Sequence, residues 1–190
     1  MPNISRAAAI VGVAEADEMG YLENRKSDLQ LNEEACYNAL EDAGLKKSDV
    51  DGIFAAGNTL GLAEHMGIHP RFTDSTSVGG SSFVIHAGHA LAAIAAGYCE
   101  VALVTHGSAG HSRRFFGGGG EGGAANSPGA QFETPYGFIG APINYSMACA
   151  RYMHEFGEDR SREAMSEVAV STRKWAALNP KALIHAPKAE

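Results

Sequence analysis

A glycine pair, Gly79-Gly80, followed by two serines, Ser81 and Ser82, is the arrangement in this chain with the most chemical potential. Polar residues precede it from Asp74, and after it Phe83, Ala87, Ala90, Leu91, Ile94 and Ala95 recur at helical spacing. Gly88, Ala92, Ala93, Ala96 and Gly97 leave little bulk on the other faces, so a buried helix is expected. A helix that opens after a glycine pair at a strand end turns free N–H groups and its positive dipole end toward whatever sits there. An anion, a polarised carbonyl or a nucleophile would gain from that place. The alternative is purely conformational: the glycines turn the chain and Ser81 caps the helix.

Other residues with chemical reach are weaker candidates. His86 and His89 are three apart on the same helix and could share a face, either as ligands awaiting a third or as histidines satisfied by backbone groups. His65 and His69 are four apart, but Pro70 forces His69 out of helical geometry and no acid or cysteine completes a metal set. No metal site is expected. Cys36, Cys99 and Cys149 are an odd number without C-x-x-C spacing, which suggests neither a disulfide framework nor a zinc knuckle, and Cys36 reads as a small core residue inside a helix. Arg113 and Arg114 are candidates for a phosphate, or simply a solvated pair. Gly117, Gly119 and Gly122 match G-x-G-x-x-G formally, yet they neither follow a strand nor open a helix, so no dinucleotide site is implied.

The 190 residues, 45% hydrophobic and 19% charged, suit a globular domain with a substantial core. A formal charge of -7 without a basic run excludes a nucleic-acid binder. The apolar run near the start is followed at once by acids and reads as a strand rather than a signal peptide, and the longest later run, from Ala90 to Gly97, is far too short to span a bilayer. These features predict a cytoplasmic protein.

The elements that must position the glycine pair follow from pattern. Residues 7–13, AAAIVGV, predict a first strand buried on both faces. A helix is expected from Leu29 or Leu31 to about Ala43, with Asn32 as cap and Gly44 as stop. GIFAAGN predicts a second strand and closes a parallel crossover. Residues 59–71 predict a short helix or ordered loop, 72–78 a third strand and 101–105 a fourth. Ten glycines between Gly110 and Gly140, with Pro128, Pro135 and Pro142, mark a connection with no sustained period. Two helices complete the reading. One covers 144–156 and stops at Gly157; the next is capped by Asp159 or Ser161, runs from Arg162 to about Leu178 with Met165, Val168, Ala169, Thr172 and Trp175 or Ala176 on its buried side, and breaks at Asn179-Pro180. The fold class is therefore α/β, a mixed and mostly parallel sheet with helices on both faces. The expected organisation is residues 1–107 with 145–178 as one domain, 108–144 as an inserted Gly/Pro-rich region and 179–190 as a tail.

This order, with ALEDAGLKKSDVDGIFAA in the first crossover, GYCEVALVTHG after the central helix, and YMHEFG followed by NPKA, resembles the N-terminal half of thiolase-superfamily enzymes, the sterol-carrier or lipid-transfer type above all. The resemblance covers nearly the whole chain. It implies a layered fold of two similar halves, an assembly of at least two subunits, and carbon–carbon bond formation or cleavage beside a coenzyme A thioester, under labels such as acetyl-CoA acetyltransferase. It implies no permanently bound cofactor; coenzyme A enters as part of the substrate. Counting back from GYCEVALV without gaps places the family's nucleophilic cysteine position at Gly80, which has no side chain. Ser81, the nearest hydroxyl, has no assignable base.

Two functions of different class follow. One is a thiolase-like enzyme on acyl-CoA, acyltransferase by label or, with Gly80 in place of the nucleophile, a retro-aldolase of the kind that works with a small zinc-ribbon/OB-fold partner. The other is a non-catalytic module that binds acyl-CoA or a partner, such as a C-terminal half. An isolated half exposes the face that meets the other half, so a homo-oligomer is expected.

Overall fold

The computed structural model describes residues 4–18, 26–110, 128–138 and 140–185. It divides into two compact units, residues 1–120 and 121–190.

In the first unit, helix α1 (Asp28–Ala43) begins with a reciprocal cap. The Ser27 hydroxyl accepts the Gln30 amide while the Gln30 side chain accepts the Ser27 amide. Gly44 ends the helix in the left-handed conformation, as expected, but the N-cap is Ser27 rather than Asn32. Strand β1 (Gly52–Phe54) leads through helix α2 (Thr59–Met66) to strand β2 (Phe72–Asp74), then helix α3 (Ser82–Ala95) and strand β3 (Ala102–Val104). The three strands are parallel in the order β2-β1-β3, with Gly52 opposite both Phe72 and Ala102.

Alternation along the strands divides the core into two layers. Ile53 and Leu103 face Cys36 and Leu40 of α1 and Leu62, Ala63 and Met66 of α2. Phe54 faces the other way onto Ala90 and Ala93 of α3, with Cys99, Phe72 and Ala102 alongside. This is the α/β arrangement, helices on both faces of a parallel sheet, that the sequence predicts. Buried apolar area on both faces is what holds strands this short together.

Three expectations need correction. Residues 7–13 form no strand: none of the described strands pairs with them, and Ile10 is 83% exposed. Their apolar run lies instead along α1, where a Cβ on Gly12 would overlap the Ala39 carbonyl and the Val13 amide donates to Asp42 Oδ2 at 2.9 Å. Helix α3 is buried on one stripe only, that of Ser82, His86, Ala90 and Ala93; Val84 on its outer side is 77% exposed. The second strand of the pattern and its successors are also shorter than read, because the carbonyl ends of the strands pass directly into turns.

The second unit holds a short helix α4 (Pro128–Glu133), a 3-10 turn at Thr134–Tyr136, and two long helices, α5 (Gly140–Phe156) and α6 (Glu158–Leu178). Both long helices start four residues earlier than the pattern indicates. The change of direction falls on Gly157 alone, at φ 90°, which serves as N-cap of α6 in place of Asp159 or Ser161. Ser161 instead is fully buried and donates to the Gly157 carbonyl at 2.6 Å. The expected buried side of α6 is open, with Val168 and Trp175 exposed. α6 does end at Leu178, before Asn179-Pro180.

Candidate functional site at the N-terminus of α3

In a parallel sheet all strand carbonyl ends point the same way, and the turns that leave them gather at one edge. Here that edge carries the Phe54 end of β1, Asp74 of β2 with the connection 75–81 into α3, and Thr105 to Ala109 after β3. The connection is fastened at each step. Asp74 Oδ1 accepts the Thr76 amide at 2.7 Å and its hydroxyl at 2.6 Å, and the hydroxyls of Ser75 and Thr59 touch. Gly79 turns the chain at φ 80°, a value that suits glycine. Ser82 then closes the loop: its Oγ accepts the Val78 amide at 3.0 Å and donates to the Gly79 carbonyl at 2.6 Å.

The two serines therefore differ. Ser81 is the N-cap residue but makes no side-chain capping bond and is exposed; Ser82 is wholly buried and holds the turn. The capping bond expected of Ser81 is not made, and Ser82, which points back at the chain before the helix, fastens the turn instead. Gly80 is exposed, and a Cβ built there meets nothing within 4 Å. Space beside the first turn of α3 is thus open to a ligand atom, with helix N–H groups around it.

The histidines separate. His86 is fully buried against Phe54 and Phe83, and neither ring nitrogen has a hydrogen-bond partner. The backbone satisfaction expected for it is not found. His89 places Nδ1 2.5 Å from Asp74 Oδ2, so the two histidines share no ligand. Burial pushes the Asp74 carboxyl upward, but the bonds from Thr76 and the His89 ring outweigh it and hold the group below its ordinary value. His65 pairs with Glu33 at 2.9 Å. Among the described residues no group of three His, Cys, Asp or Glu could hold a metal ion. Arg113, Arg114 and the glycines 117, 119 and 122 lie outside the described residues.

Two features escaped the sequence reading. His106, exposed at the end of β3, lies against the Phe83 ring in the first turn of α3, with centroids 4.4 Å apart, and so brings an imidazole to the site edge. The segment that carries it is pinned to α1: Thr105 Oγ1 donates to Asn32 Oδ1 at 3.1 Å and the Ala109 amide to Asp28 Oδ1 at 2.7 Å. Position at the end of a parallel strand for Asp74, and just past one for His106, was the available signal for each residue singly, though not for its partner. Cys36, beneath this clamp, is a core residue whose thiol burial pushes up to about 11. Among the described residues no helix is long and apolar enough to cross a membrane.

The structure therefore defines a parallel α/β half-layer with an open helix N-terminus at its carbonyl edge. Known proteins narrow it further. No family model matches the chain. It is 36% identical over 186 residues to a steroid side-chain-cleaving aldolase of Thermomonospora curvata, a match covering 93% of this chain and 46% of that protein. Over 196 residues it is 32% identical to a 17-hydroxy-3-oxo-4-pregnene-20-carboxyl-CoA lyase of Mycobacterium tuberculosis, covering 96% and 48%. The solved structure of an Ltp2-ChsH2(DUF35) aldolase is similar at a TM-score of 0.75 and 31% identity, over 93% of this chain and 45% of that one. The chain thus has aldolase and lyase relatives, and it spans about half the length of the curated relatives it matches.

Proposed function

We propose that this chain supplies the carbonyl-binding half of a thiolase-like aldolase, which cleaves the carbon–carbon bond of a β-hydroxy acyl-CoA without a covalent acyl-enzyme. The observation that carries the reading is Gly80. The position that a thiolase nucleophile would take has no side chain, and the space in front of it is open. Ser81, though exposed, makes no bond that would activate it. Helix N–H groups without a nucleophile can stabilise a developing oxyanion but cannot take an acyl group.

The reaction that such a site serves is a retro-aldol cleavage. A base removes the proton of the β-hydroxyl, the bond between the α and β carbons breaks, and its electron pair enters the thioester as an enolate. The β carbon leaves as a ketone or aldehyde, and the enolate takes a proton at carbon to give a shorter acyl-CoA. The first turn of α3 would hold the enolate oxygen. The names of the aldolase and lyase relatives support cleavage over acyl transfer, and a steroid side-chain CoA thioester as substrate. The DUF35 aldolase relative supports a small partner protein. Mass spectrometry of the protein after turnover tests the reading. Stable acylation of residues 80–82 would replace it with acyl transfer.

A further inference from the structure

Asp74 is where three parts of the site meet. It ends β2, its Oδ1 binds the amide and hydroxyl of Thr76, and its Oδ2 binds Nδ1 of His89. Thr76 belongs to the connection that becomes the glycine turn, and His89 stands two helical turns into α3. A single carboxylate, its side chain only 14% exposed, thus links strand, connection and helix. Facing a carboxylate, the ring Nδ1 carries its proton and donates, and such charge-assisted bonds are short and strong. Helix α3 also meets the sheet through Phe54, Ala90 and Ala93, but those contacts are apolar and do not fix where the turn before it lies.

We propose that Asp74 and His89 are positioning residues: the pair sets how the connection that carries the Gly79-Gly80 turn, itself closed by Ser82, is held between the end of β2 and α3, an inference that rests on the reading of this turn as the carbonyl site. Neither side chain touches substrate. Without the pair, the connection keeps its fastenings at Ser75 and, through Val78, to Ser82 in the first turn of α3, but loses the one that ties the end of β2 to the second turn of the helix.

Amide hydrogen exchange on this chain reads the clamp with no ligand present. His89→Ala should speed exchange at the hydrogen-bonded amides of Thr76, Val78 and Ser82 by about tenfold or more, as expected for loss of a bond to a charged group, and leave α1 unchanged. His89→Asn, whose amide can donate in place of Nδ1, should restore most of the protection, and Asp74→Ala should match His89→Ala at Val78 and Ser82 and exceed it at Thr76, whose amide also loses its acceptor. Unchanged exchange in His89→Ala, or His89→Asn behaving like His89→Ala, overturns the proposal. Because His89 is 46% exposed, its variants fold even if Asp74→Ala does not. In cleavage of 17-hydroxy-3-oxo-4-pregnene-20-carboxyl-CoA, with the chain completed by the remaining part of the Thermomonospora relative, His89→Ala should lower kcat with KM little changed, and His89→Asn should recover it. A loss of kcat/KM that comes only through a raised KM contradicts the proposal. An exchange response in a parent that cleaves nothing keeps the clamp and removes the aldolase reading.

Discussion

Replacing Ser82 by alanine tests the site where its geometry is most specific. Ser82 has no exposed surface, and its hydroxyl bridges two backbone groups, the Val78 amide at 3.0 Å and the Gly79 carbonyl at 2.6 Å. The losses are unequal. The Gly79 carbonyl keeps the Ser82 amide, which donates to it at 3.0 Å, so only one of its two donors disappears. The Val78 amide loses its acceptor. A stranded buried group costs about 1–3 kcal/mol, but Val78 is 52% exposed and water can reach part of the gap. The expected destabilisation is therefore about 1–2 kcal/mol, read from urea unfolding as a lower midpoint at unchanged slope. Ser81→Ala is the control: it removes an exposed hydroxyl with no capping bond and should stay within about 0.5 kcal/mol of the parent. If Ser82→Ala were equally silent, or if Ser81→Ala cost as much, the assignment of the turn to Ser82 would be wrong.

Gly107→Ala should destabilise the chain by about 1–3 kcal/mol in the same assay, because its Cβ would lie 2.7 Å from the Asn32 amide nitrogen. Gly80→Cys should leave the midpoint almost unmoved, since nothing lies within 4 Å of the new Cβ, and the thiol at the α3 N-terminus should react with iodoacetamide at neutral pH well before Cys36, whose thiol is pushed up to about 11. Asp74 sets a pH dependence with a definite sign. Its folded carboxyl lies below the unfolded value, so its contribution is complete above about pH 4 and disappears as pH falls through the lowered value. Acid titration of stability should therefore be shallower in Asp74→Asn than in the parent.

The sheet and its crossovers were legible because their signals are local. Gly44 ends α1 in the left-handed conformation, and the strands at Gly52–Phe54, wholly buried, and Ala102–Val104, buried only at Leu103, stand as short apolar runs between polar turns. Residues 7–13 carry the same signal and fail it, since an apolar run becomes a strand only where a neighbour offers its ladder, and none of the described strands does. The face of α6 was misread for a related reason. Periodicity marks which residues share a stripe, but Val168 and Trp175 are buried only if something packs on them. At the site, the glycine turn and the helix behind it were visible, whereas the division of labour between Ser81 and Ser82 depends on side-chain direction. The Asp74–His89 pair and the Phe83–His106 contact were out of reach, because each joins residues far apart in sequence that only the parallel crossover brings together.

The most direct test of a non-covalent carbonyl site is to supply 17-hydroxy-3-oxo-4-pregnene-20-carboxyl-CoA to the chain completed by the remaining part of the Thermomonospora relative, and to follow small molecules and protein mass together. The account predicts release of a ketone and a shortened acyl-CoA while the mass of this chain stays unchanged throughout turnover. An acyl adduct at residues 80–82 that forms and decays at the rate of product release would contradict it.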